Sequence, residues 1–579
     1  MKNLGTGVMM VAAVLVAVVI VILPHNPIIS DDNISDVIQT PFNPESFPNN
    51  FPNNIINTDT TTNSLIFNVN AYSSSILHSP NTQNGLEDQI STIYSPDIST
   101  VIALFDPYVE NLFENSLIPG AAVVVVYQDR IVYMKTLGVK KVGENDPVDE
   151  DTLFEIGSAS KAFTSAAMAA LVDEGVINWE NLARQYYSDP DKFLLNNSQI
   201  TEEINMLDLL SHRSGLPPQA GSYHVMEFWY DFNETLFHLR YLPPESEFRT
   251  QYAYQNILYA LAGYSASQAA GMTWDDLIRQ KIFQPLQMNS STTTLQEFLN
   301  NPNHASNHEI NENGQVNYME PYNLDAMGPA TSISASIKDL GNWIRFQMNN
   351  GQFNGQQVVS SQSLGETHNI HIVIDQQTGY TLGYGLGWGV EVGTDSYEIM
   401  HSGSTVYSCS YTDLFLTDDL GIMVVANEGT RGIRFGQLLS EMLHNIYKSG
   451  AVPVGTSTQF TPDDSAFNED AAFTNPQYEK LPQILNSVPL PYPIENYMGN
   501  YSSDYWGDIK IEKKNETSLL LYPGNNPNPI TLNHYSGNTF NESDLQTEVT
   551  FSDFVADAPQ QVVVKKWEQY GANGTFNRV

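Results

Sequence analysis

The stretch FEIGSASKAFTSAAMAALVDEG, Phe154 to Gly175, constrains this chain more than any other. An apolar lead-in and a glycine open onto Ser158, Ala159, Ser160 and Lys161. From Ala162 the pattern is Ala-rich and predicts a buried helix that ends near Gly175. A serine and a lysine three apart at a helix start lie one above the other on the same face. That sets an amine beside a hydroxyl, which activates a weak nucleophile without a histidine. A capping serine followed by a surface lysine would account for the spacing as well. Lys161 is, however, the only lysine of the chain with a serine three residues before it.

Acyl transfer also needs a proton shuttle and donors for an oxyanion. In FRTQYAYQNILYALAG, Tyr254 is the only tyrosine of the chain followed two residues later by asparagine. A phenol beside an ammonium is drawn toward phenolate, so Tyr254 is the candidate to take the proton of Ser158 while Lys161 balances the charge. Asn256 both donates and accepts, and is the candidate to hold a substrate carbonyl and position Lys161. The plainer alternative is an aromatic helix face, since Tyr252, Tyr254 and Tyr259 lie close together. A third element is expected on a strand edging the site. Lys448-Ser449-Gly450 matches a K-[ST]-G pattern but ends a helix, where Gly450 reads as a C-cap. His401-Ser402-Gly403 is placed between strands, and Gly403 permits close backbone approach to a ligand, so His401 is taken as the third element.

A length of 579 residues implies two or three folded units. Residues 1–24 carry an unbroken apolar run, Val8 to Leu23, preceded by Lys2 and followed by Asp31 and Asp32. The run predicts a signal anchor, with a cleaved signal peptide as the alternative; either leaves the bulk of the chain extracytoplasmic or luminal, membrane-anchored or secreted. Residues 25–99 are a polar spacer rich in Asn, Ser, Thr and Pro. Strand-like segments near both ends of residues 100–448, including a hairpin turning at Asp129-Arg130, enclose a helical middle. That predicts an α+β unit: an antiparallel sheet with flanking helices and a helical subdomain. Residues 449–489 read as a linker, and residues 490–579 as a small all-β domain, sandwich or barrel. The net charge of −40, from 65 acidic and 25 basic residues, makes nucleic acid and anionic lipid head groups poor partners. The one cysteine, Cys409, excludes an intrachain disulfide and reads as a small core residue.

Three elements in the order SASK, YQN, HSG resemble the serine β-lactamase and penicillin-binding-protein-like superfamily. The closer likeness is to its peptidase and esterase branch, with class C β-lactamases, D-aminopeptidases and LACTB-like proteins. PGAAVVVVYQDR, LLSHRSGLP, IFQPLQM, PATSISASIKDLGNW and YGLGWGV extend the resemblance over roughly Thr100 to Lys448. The last ninety or so residues resemble the lipocalin-like β domain that often follows. The resemblance implies Ser158 as acylated nucleophile, Lys161 as its proton-transfer partner, Tyr254 as general base and Asn256 as a substrate contact. The backbone N–H groups of Ser158 and Ser404 would form the oxyanion hole, beside Gly403. It implies no metal and no cofactor, and a small-molecule or peptide substrate. His401 departs from the lysine usual in β-lactamases proper. An imidazole exposed to substrate would titrate near ~6.5 and change its pull on a substrate carboxylate with pH. That favours amides or esters, D-aminoacyl ones included, over β-lactams. A catalytically idle scaffold on the same fold is the reading of a different class.

Overall fold

The computed structural model describes residues 97–187, 193–311, 313–453, 489–542, 547–568 and 572–579. The apolar run near the N terminus, almost all of the spacer and most of the second linker lie outside the described residues. Helix α1 (Ile98–Ser116) starts at Asp97, whose carboxylate accepts the Ser99 N–H. Strand β1 (Gly120–Tyr127) is the AAVVVV run, buried along seven of its eight residues. It turns into β2 (Arg130–Gly138) through Gln128 and Asp129, both at positive φ, so the hairpin turn falls one residue earlier than predicted. After β3 (Leu153–Glu155) a short 3₁₀ turn, Gly157–Ala159, opens helix α2 (Ser160–Asp173). The helical middle then supplies α3 (Ser222–Met226), α4 (Phe232–His238) and α5 (Asn256–Ala269). Strand β4 (Ser334–Ser336) pairs with β3 and leads into α6 (Ile337–Met348).

The chain returns to the main sheet through β5 (Ile372–Gln377), β6 (Tyr380–Tyr384), β7 (Gly389–Gly393), β8 (Tyr397–Ser404), β9 (Cys409–Phe415) and β10 (Leu420–Ala426), and closes the unit with α7 (Gly429–Ser449). Strand order is β2-β1-β10-β9-β8-β7-β6-β5, antiparallel throughout. The two ends of the unit therefore meet inside one sheet, Ala121 lying opposite Ala426. Alternation along β1 feeds two cores. Val123 and Val125 pack with Phe105 and Leu112 of α1 and with Leu439 and Leu443 of α7, while Val124 and Val126 join Leu340 and Trp343 of α6. Cys409 is a small buried core residue: a Cβ on Gly432 of α7 would sit 2.3 Å from its Sγ. Gly450 caps α7 in the left-handed conformation, as expected of the rejected K-S-G match.

The C-terminal strands β11 (Gly499–Ser503), β12 (Gly507–Lys513), β13 (Ser518–Pro523), β14 (Ile530–Ser536), β15 (Thr539–Glu542), β16 (Glu548–Val555), β17 (Ala558–Val564) and β18 (Thr575–Arg578) close into an antiparallel barrel, β18 pairing back onto β11. The barrel docks on α3 and α4. Trp506 stacks on His224 at 5.2 Å between ring centroids and on Phe228 at 5.9 Å, and Trp567 lies 4.8 Å from Phe228. Side chains are absent at 507 and 524 because Tyr230 occupies the space: a Cβ at Gly507 would lie 2.1 Å from its hydroxyl oxygen, and one at Gly524 2.6 Å from its ring. Around these rings, Glu227 meets Lys566 Nζ at 2.9 Å and Trp567 Nε1 at 2.8 Å. The apolar core runs without a break from the helical subdomain into the barrel. No helix among the described residues is long and apolar enough to cross a membrane.

Trp506→Ala is expected to lower stability by about 3–5 kcal/mol, because it empties a buried aromatic site at this junction. Urea unfolding followed by circular dichroism reads the loss; a midpoint equal to wild type would show that the barrel does not support the helical subdomain.

Candidate active site

The turn before Ser158 is fitted into the sheet from two sides. Gly157 stands at φ +53, and a Cβ there would lie 2.5 Å from Ser404 N. A Cβ on Gly403 would lie 2.0 Å from Ile156 O. Glycine at both positions lets the end of β8 reach the turn that carries Ser158. Ser410 of β9 and Ser408 just before that strand donate to the carbonyl oxygens of Ile156 (2.7 Å) and Glu155 (3.1 Å). From the other side, the PATSIS stretch binds α2: Ile333 N donates to Ser160 Oγ (3.1 Å), and Thr164 Oγ1 donates to Pro329 O (2.7 Å).

Lys161 is fully buried, a position an amine tolerates when oxygen acceptors replace water. Its Nζ donates to Ser158 Oγ at 3.2 Å, to Asn256 Oδ1 at 2.7 Å and to Ala330 O at 3.0 Å. It also stands 4.5 Å from the centroid of the Tyr254 ring. Tyr254 is not on a helix face with Tyr259; it sits in the extended segment before α5, and Asn256 is the first residue of α5. Asn256 Nδ2 donates to Gln219 Oε1 (3.2 Å) and Ser222 Oγ (3.4 Å), which fixes the amide so that its oxygen meets Lys161. Ser158, Lys161, Tyr254, Asn256, His401, Ser402 and Gly403 are all buried, and Ser404 is half-buried.

His401 is inside β8 rather than between strands. Its Nε2 shares a hydrogen bond with the Tyr384 hydroxyl at 2.9 Å, its Nδ1 one with the Ser402 carbonyl, and its side chain is cut off from solvent. Burial, and then the charge of Lys161, push its pKa down to about 3. The expectation of an exposed imidazole titrating near neutrality is therefore corrected: this ring stays neutral over all moderate pH.

Two site residues carried no assigned role in the sequence. His212, in SHRSGLP, brackets Tyr254. Its ring lies 4.4 Å from that of Tyr254, its Nδ1 accepts the Gln255 N–H (3.1 Å) and its carbonyl accepts the Ala253 N–H (2.8 Å). Burial holds its pKa well below the ordinary histidine range. Buried Asp208, accepting from Arg213 (2.7 Å) and Arg249 (2.8 Å), ties together the two segments that carry His212 and Tyr254. Gln219 donates its N–H to Tyr254 O at 2.7 Å and presents its side-chain oxygen to Asn256. Only the PPQ context, a turn before a helix, could have pointed to it.

A family model described as Beta-lactamase matches residues 104–436, more than half of the chain. The chain is 26% identical over 447 residues to unguisins hydrolase ungD′ of Aspergillus campestris, covering 72% of this chain and 78% of that protein. It is 25% identical over 328 residues to protein flp of Staphylococcus aureus, covering 56% of this chain and 62% of that one. A β-lactamase of Escherichia coli is 26% identical over 240 residues, 40% of this chain and 58% of its own. In fold, the chain is similar to the octameric penicillin-binding protein homologue from Pyrococcus abyssi, with a TM-score of 0.53 and 17% identity over 83% of this chain and 100% of that one.

The folded pKa of His401 lies below its unfolded value of ~6.5. Between the two the unfolded chain binds a proton that the folded chain refuses. The stability tied to this ring is thus full above pH 6.5 and is lost as pH falls toward 3. Below about pH 6, wild type is expected to lose about 1.4 kcal/mol per pH unit more than His401→Gln in urea unfolding. Parallel pH dependences would contradict the burial of a neutral ring.

Proposed function

Because the chain belongs to the beta-lactamase family, we propose that it is a serine hydrolase working through an acyl-enzyme on Ser158. The observation that carries this reading is the buried Lys161 amine, set between Ser158 Oγ and Asn256 Oδ1. In the proposed reaction Ser158 Oγ attacks a carbonyl carbon while its proton passes to Tyr254, with Lys161 balancing the charge. The tetrahedral oxyanion is met by the N–H groups of Ser158 and Ser404. The proton then goes to the departing amine or alkoxide, and a water activated by the same base releases the acyl group. Asn256 holds a substrate carbonyl. Since Ser158 and Lys161 are wholly buried, substrate admission must move the side chains that cover them.

The substrate we propose is an amide or ester, of peptide or D-aminoacyl type, in preference to a β-lactam. A neutral His401 replaces fixed positive charge beside Gly403 and Ser404, which weakens the hold on a substrate carboxylate. The name of the relative called unguisins hydrolase supports hydrolysis as the outcome. The apolar run Val8–Leu23 supports a setting outside the cytoplasm. An idle scaffold is disfavoured, because a fully buried lysine aimed at a buried serine costs stability that a structural protein would not need.

Ser158→Ala and Lys161→Ala are each expected to lower kcat by at least ~10³-fold toward p-nitrophenyl esters and D-aminoacyl p-nitroanilides, and the double variant no further, since residues acting as one unit fail together. Circular dichroism should remain that of wild type. Near-native turnover by Ser158→Ala would remove this reading.

A further inference from the structure

We propose that the C-terminal barrel positions the active-site lysine, and that Tyr505 is the positioning residue through which it does so. The inference rests on the roles given above to Ser158, Lys161 and Asn256. Tyr505 is the middle residue of the loop between β11 and β12, and it is buried against the helical subdomain. Its hydroxyl accepts the Gly221 N–H at 3.0 Å. Its carbonyl meets His224 Nε2 at 2.7 Å, and its ring stands edge-on to the same imidazole at 4.7 Å. One barrel residue thus holds both Gly221, the N-cap of α3, and His224 within that helix.

Gln219, two residues before Gly221, and Ser222, the first residue of α3, carry the acceptors that orient Asn256. Gln219 (φ +58) and Gly221 (φ +83) are both left-handed, and the Ser222 N–H closes on Gln219 O at 3.0 Å. Ser222 Oγ donates to Gln219 Oε1 at 2.9 Å, and Asn256 Nδ2 donates to both side chains. With its nitrogen so held, Asn256 presents Oδ1 to Lys161 at 2.7 Å. An amide whose nitrogen lacks acceptors is free to reverse, and reversed it sets N–H donors against the lysine amine. A continuous path of contacts therefore runs from Tyr505 through Gly221, Ser222, Gln219 and Asn256 to Lys161. Substitution at 221 is blocked as well, since a Cβ would lie 2.9 Å from Ile257 and from Thr235.

The test uses the full-length protein, p-nitrophenyl butyrate hydrolysis and the rate of fluorophosphonate labelling, with Ser158→Ala as reference. Tyr505→Phe deletes only the hydroxyl. Ser222→Ala deletes one acceptor of Asn256. Asn526→Ala removes a different docking contact, the one to Glu227 O at 2.8 Å. Tyr505→Phe is expected to lower kcat and the labelling rate about five- to tenfold with KM changed less than about twofold, short of the ~10²-fold that a 1 Å misplacement costs. The Tyr505→Phe/Ser222→Ala double variant is expected to fall no further than the worse single variant, because members of one network do not add. Asn526→Ala keeps the wild-type rates. Wild-type rates in Tyr505→Phe, an equal loss in Asn526→Ala, or full additivity in the double variant would overturn the proposal. Activity and labelling that persist in Ser158→Ala would instead overturn the underlying reading of Ser158.

Discussion

A lysine with no exposure to solvent keeps its place only if oxygen acceptors surround its amine, and the structure around Ser158 is arranged to supply them. The acceptors come from far apart in the chain. Ser158 is three residues away, Asn256 is 95 away and Ala330 is 169 away. The dyad is therefore a property of the assembled unit rather than of the SASK segment. The Ala-rich sequence of α2 serves the same end, since small side chains let α5 and the PATSIS stretch come close enough to present those oxygens.

The sheet and the barrel each support this site. Gly157 and Gly403 let the end of β8 reach the turn that carries Ser158, and two serines, one on β9 and one just before it, anchor the carbonyls of Glu155 and Ile156. The pairing of β1 with β10 joins the first and last strands of the unit, and β8, the strand that flanks Ser158, is held between β7 and β9. The barrel adds a second level of support. Its aromatic loop packs into the helical subdomain, and the apolar core is shared between them. Residues that would otherwise read as an appended module are thereby continuous with the supports of Asn256.

Much of this was legible in the residues. Ser158 and Lys161 are three apart at a helix start, and Tyr254 and Asn256 two apart at another, so spacing proposes each pair, and the resemblance of SASK, YQN and HSG to one family joins them. The glycine at 403 and the C-cap at Gly450 were readable for the same reason. The state of His401 was not, because it depends on contacts with Tyr384, nearby Lys161 and the exclusion of water, none of which lies near it in sequence. His212 and Gln219 act by bracketing Tyr254 and Asn256, a role with no signature of residue type. Closure of the C-terminal strands into a barrel rests on the pairing of Tyr501 with Arg578, a long-range register that alternation of apolar residues does not specify. The docking role of Tyr505 and Trp506 was hidden because both sit in a loop joining two strands.

In the proposed reaction Ser158 is a nucleophile made reactive by Lys161. This role is tested most directly by reacting the full-length protein with a fluorophosphonate and mapping the adduct by peptide mass spectrometry. One adduct is expected, on the peptide that contains Ser158, together with its loss in a folded Lys161→Met variant. An adduct on a different serine, or undiminished labelling of Ser158 in Lys161→Met, would contradict it.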